Sequence, residues 1–104
     1  MSQQALLEKV YEELTKVRHL LEILAKDELQ KELERVATTK ERRMVWTLCD
    51  GLTTTDEIAQ KIGISQRAVQ IVVKELLEAD LITMEMRGRP KRMFEYVPST
   101  WRTD

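Results

Sequence analysis

Glycine, proline and aromatic residues are scarce in this chain of 104 residues: three Gly, two Pro, and 5% Phe, Trp and Tyr. Sandwiches and barrels depend on many glycine- and proline-rich turns, so the scarcity points to a helix-rich protein. The single cysteine, Cys49, excludes an intrachain disulfide. Two readings of it stand: a small buried hydrophobe, or half of an intermolecular disulfide, which inside cells belongs chiefly to hyperthermophiles. There is one histidine, His19, and no cysteine or histidine cluster to hold zinc. No glycine-rich loop opens a helix to cradle phosphate. Neither an enzyme nor a cofactor or metal is therefore expected. No apolar run approaches membrane-spanning length, and Met1-Ser2-Gln3-Gln4 leads into charge-dotted sequence unlike a signal peptide. The expectation is a cytoplasmic protein with no membrane partner.

What is abundant is charge. Asp, Glu, Lys and Arg make up 34% of the chain and apolar residues 42%, enough for one modest core with an appended element. The Lys, Glu and Arg content suits a thermophile. Net charge is -1, which does not suit a non-specific chromatin coat. The distribution matters more than the sum. Four of the six residues from Arg87 to Arg92 are basic and none is acidic, so a local positive potential is available to phosphate.

Residues ~3–35 read as helix, with Leu7, Val10, Leu14, Val17, Leu21 and Leu24 spaced alternately three and four apart as a heptad seam. The apolar phase then shifts to Ala25, Leu29, Leu33 and Val36, which predicts a break near Lys26-Asp27 with Asp27 as N-cap. Thr38-Thr39-Lys40-Glu41 reads as a capping box opening a helix that runs to about Cys49. Its apolar face would be Met44, Val45, Leu48 and Cys49, and Asp50-Gly51 would supply a left-handed stop. Thr54-Thr55-Asp56-Glu57 is a second capping box, for a short helix Asp56–Ile62 ended by Gly63. Ser65 then caps a helix from Gln66 to about Ala79. Two strands are predicted, Leu81–Met86 and Met93–Val97, with Arg87–Arg92 as the turn between them. The tail, Ser99–Asp104, carries Trp101, expected to pack on the domain. The chain thus divides into an N-terminal helix, 1–36, and a domain, 37–104.

The residues around Gly63 carry the functional signal. Two helices crossing at a tight turn need a small residue at the crossing, a positive-φ turn residue and an apolar anchor on the second helix. Ala59, Gly63 and Val69 stand at those offsets, with Ile58, Ile62, Ile64 and Val72 inward. This is a helix-turn-helix pattern over Thr55–Lys74. With the Leu81-Ile82 pair and the basic hairpin that follow, Thr38–Val97 resembles the winged-helix domain of archaeal and bacterial transcriptional regulators of the MarR and TrmB type. The added N-terminal coil, the size and the charge-rich composition resemble small crenarchaeal DNA-binding proteins. The resemblance implies a mainly α fold with a β-hairpin, whose third domain helix enters the major groove of double-stranded DNA while the wing touches the minor groove or backbone.

Carried onto this chain, the contact residues of that helix are Ser65, Gln66, Arg67, Gln70, Ile71 and Lys74. Gln66 and Gln70 suit adenine edges and Arg67 suits guanine or phosphate. Ser65 can offer its hydroxyl to phosphate, and Lys74 falls near phosphate. Glu75, Glu78 and Asp80 make the far half of the helix acidic, so only its first two turns are expected to approach DNA. In the wing, Arg87, Arg89, Lys91 and Arg92 are the candidates. Arg87-Gly88-Arg89-Pro90 matches the AT-hook core, and either minor-groove insertion or simple phosphate contact fits it. The heptad seam can pair with a second copy or pack on its own domain. Its length, roughly 33 Å at 1.5 Å per residue, favours a homodimer, which would also set two recognition helices about a two-fold axis. A sequence-specific regulator is the leading expectation. An architectural DNA-binding protein and a protein-interaction winged helix are the alternatives.

Overall fold

Of the two capping boxes the sequence offers, one forms. The Thr54 side chain accepts from the Glu57 amide at 3.1 Å while the Glu57 carboxylate accepts from the Thr54 amide at 3.1 Å, satisfying two free donors at one helix end. At the other site the cap is Thr39 rather than Thr38, accepting from the Arg42 amide at 3.2 Å. Three residues beyond Thr39 stands Arg42, so Glu41 falls one position short of completing a box.

The computed structural model describes residues 2–101. It shows five helices: α1 (Gln3–Leu24), α2 (Lys26–Val36), α3 (Lys40–Leu48), α4 (Thr55–Ile62) and α5 (Gln66–Glu78). An antiparallel hairpin of β1 (Ile82–Met86) and β2 (Arg89–Arg92) follows, then a 3-10 turn at Ser99–Trp101. The protein is therefore mainly helical with one two-stranded hairpin. The α1–α2 break lies at Ala25, ahead of the expected position, and Asp27 is not the N-cap. It sits with Glu28 in the first turn of α2, where a carboxylate still opposes the positive end of the helix dipole.

The core lies where α3, α4, α5 and the start of β1 meet. Trp46 is fully buried at its centre, and its indole N–H donates to the Tyr96 carbonyl at 3.0 Å, as a buried indole requires. Of the apolar face expected for this helix, Val45 and Cys49 are buried and Met44 and Leu48 half-buried, and Trp46, not among the expected four, joins it at the centre. Leu33 and Val36 bring α2 into the same cluster, and Trp101 closes it as expected. Residues 102–104 of the tail lie outside the described residues. Helix α3 ends at Leu48 without a left-handed cap. Gly51 does take positive φ, at +81°, but within the loop that follows. There the Asp50 carboxylate accepts from the Leu52 and Thr53 amides at 2.8 and 2.9 Å.

The hairpin is displaced from its predicted place. The turn is Arg87-Gly88 alone, and most of the basic segment is β2; Met93–Val97 is not a strand. Pro90 is tolerated because its carbonyl, and hence its missing N–H, faces away from β1, toward Gly51, whose amide donates to it at 2.9 Å. The Arg92 amide likewise donates to the Cys49 carbonyl at 2.9 Å. The α3–α4 connection thereby lies along β2 through an isolated bridge, Asp50 to Lys91.

Cys49 is fully buried, and its thiol donates to the Val45 carbonyl at 3.1 Å. Burial pushes the thiol pKa up to about 12, with Arg92 opposing and Asp50 adding to the shift. The folded chain therefore does not present Cys49 for an intermolecular disulfide. A thiol reagent at pH 8 should leave native Cys49 unmodified and titrate one thiol once denaturant is added; fast labelling of native protein would contradict this burial.

Two helix ends share one geometry with different residues. Gly63, at φ +82°, ends α4, and the Ile64 amide donates to the Ala59 carbonyl at 3.1 Å. Asp80, at φ +58°, ends α5, and the Leu81 amide donates to the Leu76 carbonyl at 3.0 Å. Both share the 6→1 bond of the Schellman closure, which favours glycine at the left-handed position. Gly63→Ala should cost about 1–2 kcal/mol, since nothing else lies within 4 Å of the added methyl. Asp80→Gly should instead stabilise by about 0.5–1 kcal/mol. Urea unfolding of the two variants, followed by far-UV circular dichroism, should move the midpoint in opposite directions.

Candidate nucleic-acid interface

Helix α5 has two faces because its apolar residues recur at helical spacing. Val69, Val72, Val73 and Leu76 are buried. The opposite side presents Ser65, Gln66, Arg67, Gln70, Ile71 and Lys74, every one exposed. Helix α4 and a three-residue turn hold this orientation. Ala59 is buried, Gly63 makes the left-handed turn, Ile64 is half-buried, and the Ser65 hydroxyl accepts from the Ala68 amide at 3.0 Å. The four inward positions read from sequence divide evenly: Ile58 and Val72 are buried, Ile62 and Ile64 half-buried.

The acidic end of α5 is less negative than its sequence. Glu75 turns toward Arg42, whose guanidinium also donates to the Val36 carbonyl at 3.0 Å. This pair joins α5 to the α2–α3 corner, a role with no sequence signal beyond opposite charge. Glu78 and Asp80 remain exposed.

The four basic residues of the hairpin serve different ends. Arg87 is exposed in the turn, and the Arg89 guanidinium lies 3.8 Å from the Met86 sulfur. The Thr55 amide donates to the Gly88 carbonyl at 3.0 Å, which fastens the hairpin tip to the start of α4. The Lys91 stem lies over Gly51, within about 3.2 Å of where a β-carbon there would stand. Arg92 turns inward and donates to the carbonyls of Trp46 and Thr47, at 3.2 and 2.6 Å. Its cation sits at the C-terminus of α3, where the helix dipole is negative. Arg92 is therefore occupied inside the domain, which runs of basic residues in sequence do not disclose.

The N-terminal seam is bare. None of the residues of α1 is buried, and the seam side chains range from 46% exposed at Val10 to 82% at Leu24. The Arg18 guanidinium bonds the Met93 carbonyl at 3.0 Å and Glu22 at 3.1 Å, tying α1 to the base of the hairpin. Between them lies an open groove of about 610 Å³, with Leu14, Val17, Leu21, Leu29, Met93 and Phe94 along it. His19 is exposed on α1. Among the described residues no three His, Cys, Asp or Glu side chains gather as a metal site, and no helix is long and apolar enough to cross a membrane.

Two carboxylates here carry an acid-sensitive part of the stability. The hydrogen bond from Arg42 holds the Glu75 carboxyl below its ordinary range, and those from Thr54 do the same for Glu57. A depressed folded-state pKa stabilises above the ordinary value of about 4.3 and ceases to do so as pH falls through the folded value. Thermal melts should therefore be level from pH 7 to 5 and fall below pH 4. Glu75→Gln should melt lower at pH 7 and show a shallower acid decline; a decline as steep as in the parent protein would remove Glu75 from the account. In comparison with known proteins, no family model, no curated protein and no solved structure matches this chain.

Proposed function

We propose that this protein is a winged helix-turn-helix DNA-binding protein that acts as a homodimeric transcriptional regulator. The observation that carries the proposal is the edge of α5. Gln66, Arg67 and Gln70 are exposed together while the opposite face of the same helix is buried. Two amides and a guanidinium along the first two turns form a donor–acceptor set suited to base edges in the major groove. Ser65 and Lys74 flank them for phosphate, and Ile71, 49% exposed, supplies an apolar contact of the kind thymine methyl groups accept. The order of helices, the bridge along β2 and the hairpin after α5 support the winged arrangement.

The wing contribution narrows to its tip. Arg87 and Arg89 flank Gly88 and suit the minor groove or the adjoining phosphates. Lys91 and Arg92 are better assigned to holding the hairpin. The bare seam of α1 supports self-association, since an isolated helix of this length gains most of its stability from packing. Exposed glutamines on the leading edge favour a sequence-reading regulator over an architectural role, which would rest on backbone contacts alone.

Gel retardation on random duplex DNA at low salt, then selection of bound sequences from a random pool, tests the reading. Gln70→Ala and Arg67→Ala should each cost about 1–3 kcal/mol on the selected site with little loss on random DNA. Arg87→Ala with Arg89→Ala should weaken A·T-rich duplexes more than G·C-rich ones if the tip enters the minor groove, and both equally if it meets phosphate only. No retardation at low salt would overturn DNA binding in favour of a protein-interaction module.

A further inference from the structure

We infer that the groove between α1 and the hairpin base is filled by the N-terminal half of α1 from a second copy, running antiparallel, so that the hairpin base belongs to the dimer interface. The inference rests on the self-association of α1 proposed above and adds its direction and extent.

Two unfinished surfaces suggest it. The groove runs beside the C-terminal half of α1 and includes Leu29, Met93 and Phe94 from other elements. The N-terminal half, with Leu7 and Val10, is bare and contributes neither residue to that groove. An antiparallel pair sets each surface against the other. The seam numbering permits it without a gap: Leu7 meets Leu24 of the partner, Val10 meets Leu21, and Leu14 meets Val17. The two-fold axis then passes midway between Leu14 and Val17, and leucine opposes leucine or valine in every layer.

Charge selects the same direction. The N-terminal half carries Glu8, Glu12 and Glu13 against Lys9 alone, whereas the C-terminal half carries Lys16 and Arg18 against Glu22. Lys91 and Arg92 border the groove as well, against Glu85. Antiparallel pairing lays the acidic half of one copy over the basic half of the other, and parallel pairing sets acidic against acidic. Withdrawing the seam side chains of both copies from water removes on the order of 1,200 Å², the lower bound for a stable interface. The added contact on Met93 and Phe94 brings it into the standard range.

Cysteine cross-linking in the full chain tests the direction, and native Cys49 is too deeply buried to interfere. Under mild oxidation a mixture of Leu7→Cys and Leu24→Cys proteins should form a disulfide-linked dimer, and neither should do so alone. Met93→Glu, at a residue 43% exposed, should raise the dimer dissociation constant at least tenfold in sedimentation equilibrium with helicity unchanged. Cross-linking of Leu7→Cys alone would establish a parallel pair and overturn the inference. An unchanged dissociation constant for Met93→Glu would remove the hairpin from the interface. A monomer at every concentration would assign the groove to another occupant and defeat self-association itself; retained gel retardation would show that DNA binding survives without it.

Discussion

The packing of α5 against the centre formed by Trp46 and its neighbours is the constraint from which the rest follows. Four apolar residues of α5 are buried there, so its rotation about its own axis is set, and the polar edge from Gln66 to Lys74 is turned outward behind the Ser65 cap. Losing Trp46 would remove a contact of the class that costs about 3–5 kcal/mol, a large share of the stability of a domain this size. The orientation of the proposed reading edge is thus stabilised from behind, by hydrophobic burial, and not by the exposed side chains themselves.

The strand β2 works as a strut between this core and the hairpin. Its backbone pairs with β1 on one side and with the Cys49–Gly51 segment on the other. Arg92 adds a cation against the open carbonyls at the end of α3. A basic segment that looks uniform therefore separates by strand alternation and position. The last residue is enlisted in the domain, the stem of Lys91 lies across Gly51, Arg89 is half-buried, and Arg87 alone of the four is fully exposed. The Thr55–Gly88 bond ties that tip to α4, the element that precedes the Gly63 turn, so tip and α5 are referred to one frame.

Helix α1 has the opposite character. It has the heptad spacing, a serine cap and exposed ion pairs that an isolated helix uses, yet it covers almost none of its apolar face. Its charge is divided along its length while the protein as a whole is near neutral. Its bare seam and unlike halves are the features that the proposed self-association would use. The Arg18 link to Met93 sets the hairpin base beside that seam.

Several local signals are legible in the sequence where a few neighbouring residues decide the conformation. The Thr54–Glu57 box, the left-handed Gly63, the Ser65 cap, the two faces of α5 and the exposed seam of α1 were all legible, because capping, φ preference and 3.6-residue periodicity operate within one or two turns. The start of α3, the break at Ala25 and the hairpin register were not. Thr38 and Thr39 cap equally well in isolation, and Pro90 reads as a turn residue until a third segment is seen to occupy its carbonyl side. The centrality of Trp46, the inward course of Arg92 and the Arg42–Glu75 pair depend on residues more than thirty positions apart in the chain. Sequence alone determined the five helices and the apolar face of α5, since those are properties of a short segment in water. Tertiary structure alone decided which charged groups turn inward, because that choice rests on carbonyls and carboxylates that only folding brings within reach.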